Sequence, residues 1–275
     1  TPVASTAPSI PILNSNINEI IEKKIKELEN GKNVEVMNDL GVLFTSIGKY
    51  SQGQSWYFKA IENGSVEAML NLGIMYHKLG KEDMAEKCYL EMSNINNIDG
   101  INKLGELYKE QKKYDKAEKM YLKALELGDK YSYYNLGVLN ELRFDIEKAK
   151  KYYLEGIKNH DEYSMNNMAV LYFKDKKYDQ AERMYQKAIE KNHTGAMNNL
   201  GYLYFITGNF EMAEVMYYQA IDNGYNGAIY NMAELYETLE RFDEAKHWYE
   251  RARNEVGMIV DDKLRHIDVK KGLVY

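Results

Sequence analysis

Five asparagines recur in register along the chain, each directly before a Leu-Gly or Met-Ala pair. They are Asn71, Asn135, Asn167, Asn199 and Asn231, and they lie 32 residues or a multiple of 32 apart. An asparagine side chain both donates and accepts hydrogen bonds, as a peptide backbone does. The series therefore indicates either a ladder that holds the backbone of a ligand or a set of internal bonds to neighbouring turns.

Aromatic and acidic side chains recur in the same segments as the asparagines. The aromatic ones belong to the middle and later part of the chain: Tyr131, Tyr134, Tyr163, Phe173, Tyr202, Phe205 and Tyr230. Two further asparagines, Asn166 and Asn198, lie beside members of the series, and the earlier part of the chain supplies Glu35, Glu67, Asp99 and Glu106. Exposed aromatic groups usually mark a contact surface. We expect a binding surface that is acidic at its N-terminal end and aromatic further on, or rings that pack on the next repeat.

The sequence offers little that could support catalysis. It contains no glycine-rich phosphate loop, no HExxH and no nucleophile elbow. The five histidines are scattered, and Cys88, the only cysteine, is interpreted as a small buried hydrophobic residue. We therefore predict a protein that is not an enzyme and that has no cofactor and no metal site.

The sequence repeats with a period of 32 residues, and this repeat predicts which helices carry the asparagine, aromatic and acidic residues. The pairs that define it begin at Leu40, Leu72, Leu104, Leu136, Met168, Leu200 and Met232. In one period, Met197, Leu200, Gly201 and Tyr204 follow the spacing of one helix face, and Phe210 begins the stripe of a second helix after the break at residues 207–209. A repeat of this size is typical of stacked helical hairpins.

Small and large residues alternate at fixed positions of the predicted core. A tyrosine recurs on every second helix, at Tyr57, Tyr89, Tyr121, Tyr153, Tyr185, Tyr217 and Tyr249. Small residues such as Gly201 and Ala213 lie opposite, as close helix packing requires. We predict sixteen helices. One forms a cap at 16–33 after a flexible tail at 1–15, and one forms a cap within the C-terminal cap and tail at 258–275. The other fourteen form seven hairpins, at 34–65, 66–97, 98–129, 130–161, 162–193, 194–225 and 226–257.

These motifs resemble two related repeat families. The spacing of Leu200-Gly201, Tyr204, Ala213 and Tyr217 resembles the tetratricopeptide repeat, and Trp56-Tyr57 and Trp248-Tyr249 resemble the aromatic pair of Sel-like repeats. The resemblance implies an all-α, right-handed solenoid whose first helices line a concave groove. It also implies a non-catalytic scaffold that binds an extended peptide or protein segment, with the asparagines at positions where peptide-binding relatives carry an asparagine ladder.

Two alternative functions remain open from the sequence. Rings and amides could also bind a glycan or cell-wall ligand, and the apolar segments 9–13 and 272–275 could dock on a second copy in a weak homo-oligomer. The net charge of −6 argues against nucleic acid as a partner. No apolar run is long enough for membrane insertion. The abundance of Asn, Lys, Ile and Tyr indicates an AT-rich genome, which we expect to be bacterial, and the compartment stays open.

Overall fold

The computed structural model describes residues 10–29 and 31–272. Within these ranges the chain forms sixteen α-helices and no strand, which confirms the all-helical prediction. The first nine residues of the predicted tail and most of the apolar segment 272–275 lie outside the described residues. The chain divides into two compact units, residues 1–132 and 133–275, and each unit is a stack of helical hairpins.

Unit 1 contains a lone helix followed by three hairpins. Its helices are α1 (Ile10–Glu29), α2 (Val34–Ser46), α3 (Tyr50–Glu62), α4 (Val66–Lys78), α5 (Glu82–Asn94), α6 (Ile98–Glu110) and α7 (Tyr114–Glu126). Helix α1 begins at Ile10, within the segment 1–15 that we assigned to a flexible tail. Pro11 is compatible with this early start, because the first turn of a helix does not need its backbone N–H. Ile21 of α1 is buried against Val36 and Leu40, so α1 covers the first hairpin.

Unit 2 contains four hairpins followed by a lone helix, and α8 begins at its boundary with unit 1. The helices are α8 (Ser132–Leu142), α9 (Ile146–Lys158), α10 (Glu162–Lys174), α11 (Tyr178–Ile189), α12 (Thr194–Ile206), α13 (Phe210–Asp222), α14 (Gly227–Thr238), α15 (Phe242–Val256) and α16 (Asp261–Lys270). Leu264 and Ile267 of α16 are buried, so this helix covers the last hairpin.

The two helices of a hairpin approach closely because a small residue faces a tyrosine ring. Tyr153 is fully buried, and a Cβ atom added to Gly137 would lie 2.3 Å from Cε1 of that ring. The same pairing joins Gly201 to Tyr217. The recurring tyrosines are all at most 2% exposed, which places them in the core as the repeat pattern predicts.

In each of the seven hairpins, a residue with left-handed backbone geometry follows the end of the first helix. Gly48, Gly80 and Gly208 occupy this position in three hairpins, with φ between 69° and 80°. Phe144 occupies it between α8 and α9 with φ 62°, and its side chain is 90% exposed. A bulky residue is strained in this region of backbone space, and the exposed ring gains no packing in return.

We therefore expect Phe144→Gly to raise the free energy of unfolding by about 1 kcal/mol, because it removes the left-handed strain. Phe144→Ala removes the same ring but keeps a Cβ atom, so it should give no such gain. Chemical denaturation of both variants checks this expectation. A glycine variant less stable than the alanine variant would contradict it.

First helices of unit 2 lie side by side: α10 contacts α12, and α12 contacts α14. We call the exposed side of α8, α10, α12, α14 and α16 the first-helix wall of unit 2. It carries most of the aromatic and asparagine residues that the sequence singles out.

Candidate functional site

Five aromatic rings form a connected patch, with three rings on the first-helix wall and two at the starts of α11 and α13. Phe173 lies 5.8 Å from both Tyr178 and Tyr202, measured between ring centroids. Tyr202 lies 6.3 Å from Phe205, which lies 5.9 Å from Phe210. These distances are in the range of favourable ring pairs. Tyr202 is nevertheless 44% exposed and the other four rings are half-buried, so the patch can gain burial from a ligand.

The other predicted groove aromatics lie outside this patch. Tyr134 and Tyr163 contact each other at 5.4 Å, and Tyr163 contacts the His193 ring at 5.0 Å. Tyr230 packs edge-on against the buried Tyr249. Tyr131 belongs to unit 1 and is 59% exposed. The expectation that rings pack on the next first helix holds for Tyr134 and Phe173, yet both keep an exposed edge.

Three asparagines and a tyrosine form a chain of hydrogen bonds within unit 2. Asn199 donates to Oδ1 of Asn166 at 3.0 Å, and Asn166 donates to Oδ1 of Asn167 at 3.2 Å. Asn167 donates to the Tyr153 hydroxyl at 3.1 Å, which in turn donates to Glu141 at 2.6 Å. Burial of Tyr153, and secondarily its bond to Glu141, raises the pKa of the phenol, so the hydroxyl keeps its proton. The chain links three consecutive hairpins.

The same bond between neighbouring first helices recurs at other positions. Asn231 donates to Asn198 at 2.7 Å, and in unit 1 Asn71 donates to Asn38 at 3.0 Å. Asn135 makes no side-chain hydrogen bond within the described residues. For Asn71, Asn199 and Asn231 the bonded partner is thus an asparagine of the preceding first helix, and these members of the series have an internal role. Oδ1 of Asn199 and Oδ1 of Asn231 accept no bond within the described part of the chain, so both remain open to a ligand.

We expect Asn167→Ala to lower the free energy of unfolding by about 1–3 kcal/mol. The substitution leaves the amide of the buried Asn166 without its acceptor, and unmet buried polar groups cost this much. Asn135→Ala is the matched control, because Asn135 has the same repeat position and no bond to lose. Thermal and urea unfolding measure both variants. Equal stabilities would show that the chain of hydrogen bonds contributes nothing to the fold.

A cavity of about 430 Å³ lies at the C-terminal end of the first-helix wall. Glu234 and Glu237 of α14 line one side, Lys263 and His266 of α16 line the other, and Phe205 connects it to the aromatic patch. Lys263 Nζ lies 3.1 Å from Glu237 and 3.5 Å from Glu234. The covering helix α16 therefore contributes side chains to the wall as well as closing the core.

Glu237 accepts hydrogen bonds from two side chains in this cavity. Its burial would raise the pKa, but hydrogen bonds from Tyr249 and Lys263 outweigh that effect and lower it. For Lys263, burial opposes the charged form, while the bond to Glu237 raises the pKa. The pair is thus ionised at neutral pH. It presents adjacent negative and positive groups to a ligand.

The predicted acidic residues are exposed, or half-exposed for Glu106, on the first helices of unit 1. Glu35, Glu67 and Asp99 lie in the first turns of α2, α4 and α6, where a negative charge interacts favourably with the helix dipole. Glu106 forms an ion pair with Lys103 at 2.6 Å. The carboxylates therefore also have a local role in their own helices.

His193 caps helix α12 instead of being a solvated turn residue. Its Nδ1 accepts the backbone N–H of Ala196 at 2.9 Å, which requires the neutral ring. Burial is the main effect that lowers the pKa of His193 from its ordinary value of 6.5. Asn33 and Asn97 make the corresponding cap of α2 and α6.

This cap should make the stability of unit 2 depend on pH. A histidine with a lowered pKa in the folded state binds fewer protons than in the unfolded state, so stability is complete above about pH 6.5 and falls below it. We expect the wild type to lose about 1 kcal/mol more than His193→Asn between pH 7.5 and 5.5, the usual value of a cap. Urea unfolding at both pH values tests this, and equal losses would contradict it.

Several residues in or beside the wall were not predicted as site residues from the sequence. Tyr178 and Phe210 complete the aromatic patch, although each begins a second helix. An aromatic recurs at that position in Tyr50, Tyr114 and Phe242, which was the available signal. Lys263, His266 and Lys270 are spaced as one face of α16, and this spacing could have indicated that the helix faces the wall.

Within the described residues, a helix that could span a membrane and a cluster of metal ligands are both absent. None of the helices is both long and apolar enough to cross a membrane. In the same ranges, no three His, Cys, Asp or Glu side chains converge as metal ligands would.

Comparisons with known proteins identify the repeats. Models of the tetratricopeptide repeat match residues 66–97, 98–127, 131–159, 162–194, 194–222 and 227–252, which is more than half of the chain. A model of the Sel1 repeat matches residues 35–65. No curated protein sequence is similar enough to the chain to count as a match.

Solved structures share the fold at low sequence identity. A chain of the APC/C hetero-tetramer Cut9-Hcn1 is 17% identical over 91% of this chain, with a TM-score of 0.60. Yeast Tom70 is 16% identical over 98%, with a TM-score of 0.73. The present chain spans only 52% and 61% of those two chains. A Sel1 repeat protein from Oxalobacter formigenes is 22% identical over 81% of this chain and all of its own, with a TM-score of 0.61.

The repeat matches and the hairpin stacks agree on one assignment. Proteins built from these repeats are generally non-catalytic scaffolds for interactions between proteins. The chain belongs to the tetratricopeptide and Sel1 repeat superfamily.

Proposed function

We propose that this protein binds an extended segment of a partner protein along the first-helix wall of unit 2. The observation that carries the proposal is the aromatic patch, in which rings from α10 to α13 touch one another and keep exposed surface. Aromatic side chains are enriched among the residues that dominate binding energy. Apolar side chains of the ligand would cover Tyr202 and Phe205.

The asparagines of the wall would orient the ligand backbone. Oδ1 of Asn199 and Oδ1 of Asn231 are open acceptors on neighbouring first helices. Neighbouring helices pack roughly 8–10 Å apart, and an extended chain rises about 3.3 Å per residue. One asparagine would therefore meet about every third backbone N–H. Because backbone groups are common to all sequences, specificity would come from the aromatic patch.

Charge would favour basic residues in the ligand. Glu35, Glu67 and Asp99 are exposed on first helices of unit 1. On the wall of unit 2, Glu234 and Glu237 have an adjacent lysine, so that region accepts both signs of charge. We propose a ligand with apolar residues for unit 2. Taken by itself, the acidic surface of unit 1 would favour a segment with Lys or Arg.

A peptide library displayed on phage tests this function without a known partner. The wild type should enrich peptides with aromatic or large aliphatic residues. Tyr202→Ala/Phe205→Ala, which removes two rings of the patch, should not enrich them.

Phe144→Ala/Tyr218→Ala is the matched control for this selection. It also removes one phenylalanine and one tyrosine, and both are exposed on unit 2 outside the wall. It should enrich the same peptides as the wild type. Enrichment that survives in the wall variant would refute the proposed binding surface.

A further inference from the structure

An apolar pocket of about 190 Å³ opens in unit 1, and no asparagine of the series and no ring of the aromatic patch lines it. Phe58 of α3, Leu72 and Tyr76 of α4, and Met84 and Cys88 of α5 line it. An apolar cavity of about 150 Å³ is large enough to bind benzene. The pocket therefore has room for one small ring with a substituent.

The pocket exists because one repeat carries a small residue where the others carry a large one. The residues at the position of Cys88 in the other six repeats are Trp56, Met120, Tyr152, Met184, Met216 and Trp248. Cysteine lacks the volume of any of these side chains. Burial, and secondarily the charge of Glu91, raises the pKa of Cys88 to about 11, so this wall of the pocket is an uncharged thiol at neutral pH.

A second departure from the repeat leaves a buried polar group unmatched on Tyr76, a side chain that also lines the pocket. The tyrosine equivalent to Tyr76 donates to a glutamate of the preceding second helix in three repeats, for example Tyr204 to Glu182 at 2.5 Å. The corresponding position before Tyr76 holds Gln54. Tyr76 is only 2% exposed, and its hydroxyl has no hydrogen-bond partner within the described residues. A buried donor without an acceptor is costly.

We infer that this pocket is a binding site for a small neutral molecule with an aromatic or branched aliphatic body and one hydrogen-bond acceptor. The body fills the volume left by Cys88, and the acceptor receives the hydroxyl of Tyr76. Lys87 and Glu91 also line the pocket, and their opposite charges favour a neutral ligand over an ion of either sign. The site is independent of the proposed peptide-binding wall, since all its residues belong to unit 1.

Two probes of similar shape test the site, acetophenone and ethylbenzene, because only the first carries a carbonyl acceptor. Protein with ¹³C-labelled methionine methyl groups reports binding through Met69 and Met84, which line the pocket. Both probes should shift these two resonances saturably. Acetophenone should bind about fivefold more tightly, as one net hydrogen bond provides.

Variants taken from the chain's own repeats separate the two parts of the inference. Cys88→Met introduces the residue found at Met120 and should abolish binding of both probes by filling the pocket. Tyr76→Phe introduces the residue found at Phe44 and should remove the preference for acetophenone while ethylbenzene still binds. Cys88→Ala keeps the space and should bind both probes.

Three results would overturn the inference. The first is an absence of shifts at Met69 and Met84 with millimolar probe in the wild type. The second is undiminished binding to Cys88→Met, which would place the probes elsewhere. The third is an unchanged preference for acetophenone in Tyr76→Phe, which would exclude the hydroxyl as the donor.

Discussion

Replacing Tyr217 by alanine should lower the free energy of unfolding by about 3–5 kcal/mol, the usual cost of removing a large aromatic side chain from a core. The Tyr217 ring is 1% exposed and lies against Gly201, where an added Cβ atom would come within 2.7 Å of it. Neither helix of this hairpin can close the space, because both are also packed against neighbouring hairpins. Urea unfolding followed by circular dichroism measures the change.

Tyr218→Ala is the control for this prediction, since it removes the same side chain one position along α13. Tyr218 is 40% exposed and meets the Trp248 ring edge-on at a centroid distance of 5.5 Å. We expect a loss of less than about 1 kcal/mol, as for one exposed ring pair. Similar losses for the two variants would mean that the recurring tyrosine does not hold the hairpin together.

The second large effect concerns binding. For a peptide selected by the wild type, Tyr202→Ala/Phe205→Ala should raise the dissociation constant by at least about thirtyfold. This corresponds to the loss of one residue that contributes about 2 kcal/mol to the binding free energy. Both rings belong to the connected patch, and Tyr202 has almost half of its surface available for burial. Calorimetric titration of the peptide into each protein gives the constants.

The binding measurement needs a stability measurement beside it. Phe205 also contacts Phe210, so the double variant loses some packing within unit 2. We expect the variant to stay folded at the temperature of the titration, because the core tyrosines and alanines of these hairpins are untouched. A dissociation constant within threefold of the wild type would contradict a role for the patch.

The fold could be predicted because the residue pattern that specifies it repeats along the sequence. A 32-residue spacing of small residues and tyrosines specifies which helices pair, and the fourteen helices of the seven hairpins follow from it. The start of α1 at Ile10 could not be predicted, since a single helix has no repeat to compare with. Pro11 does not distinguish a helix start from a flexible tail, because proline is compatible with both.

The candidate site could be predicted only in part. Sequence positions placed Tyr202, Phe205 and Asn199 on the first helices, where they are found. They could not show that Asn199 bonds to Asn166, because this pairing depends on the offset between two first helices. The Cys88 substitution was visible in the sequence. The pocket beside Cys88 could not be predicted, because a smaller side chain leaves a pocket only where neighbouring side chains do not fill the space.

The most direct test of the account is affinity capture from a lysate of the source organism with three immobilised proteins in parallel. These are the intact chain, the wall variant Tyr202→Ala/Phe205→Ala and the control variant Phe144→Ala/Tyr218→Ala. Binding at the first-helix wall of unit 2 predicts partners that the intact chain and the control variant retain and the wall variant loses. Partners retained equally by all three proteins would contradict the central claim and place the binding surface elsewhere on the molecule.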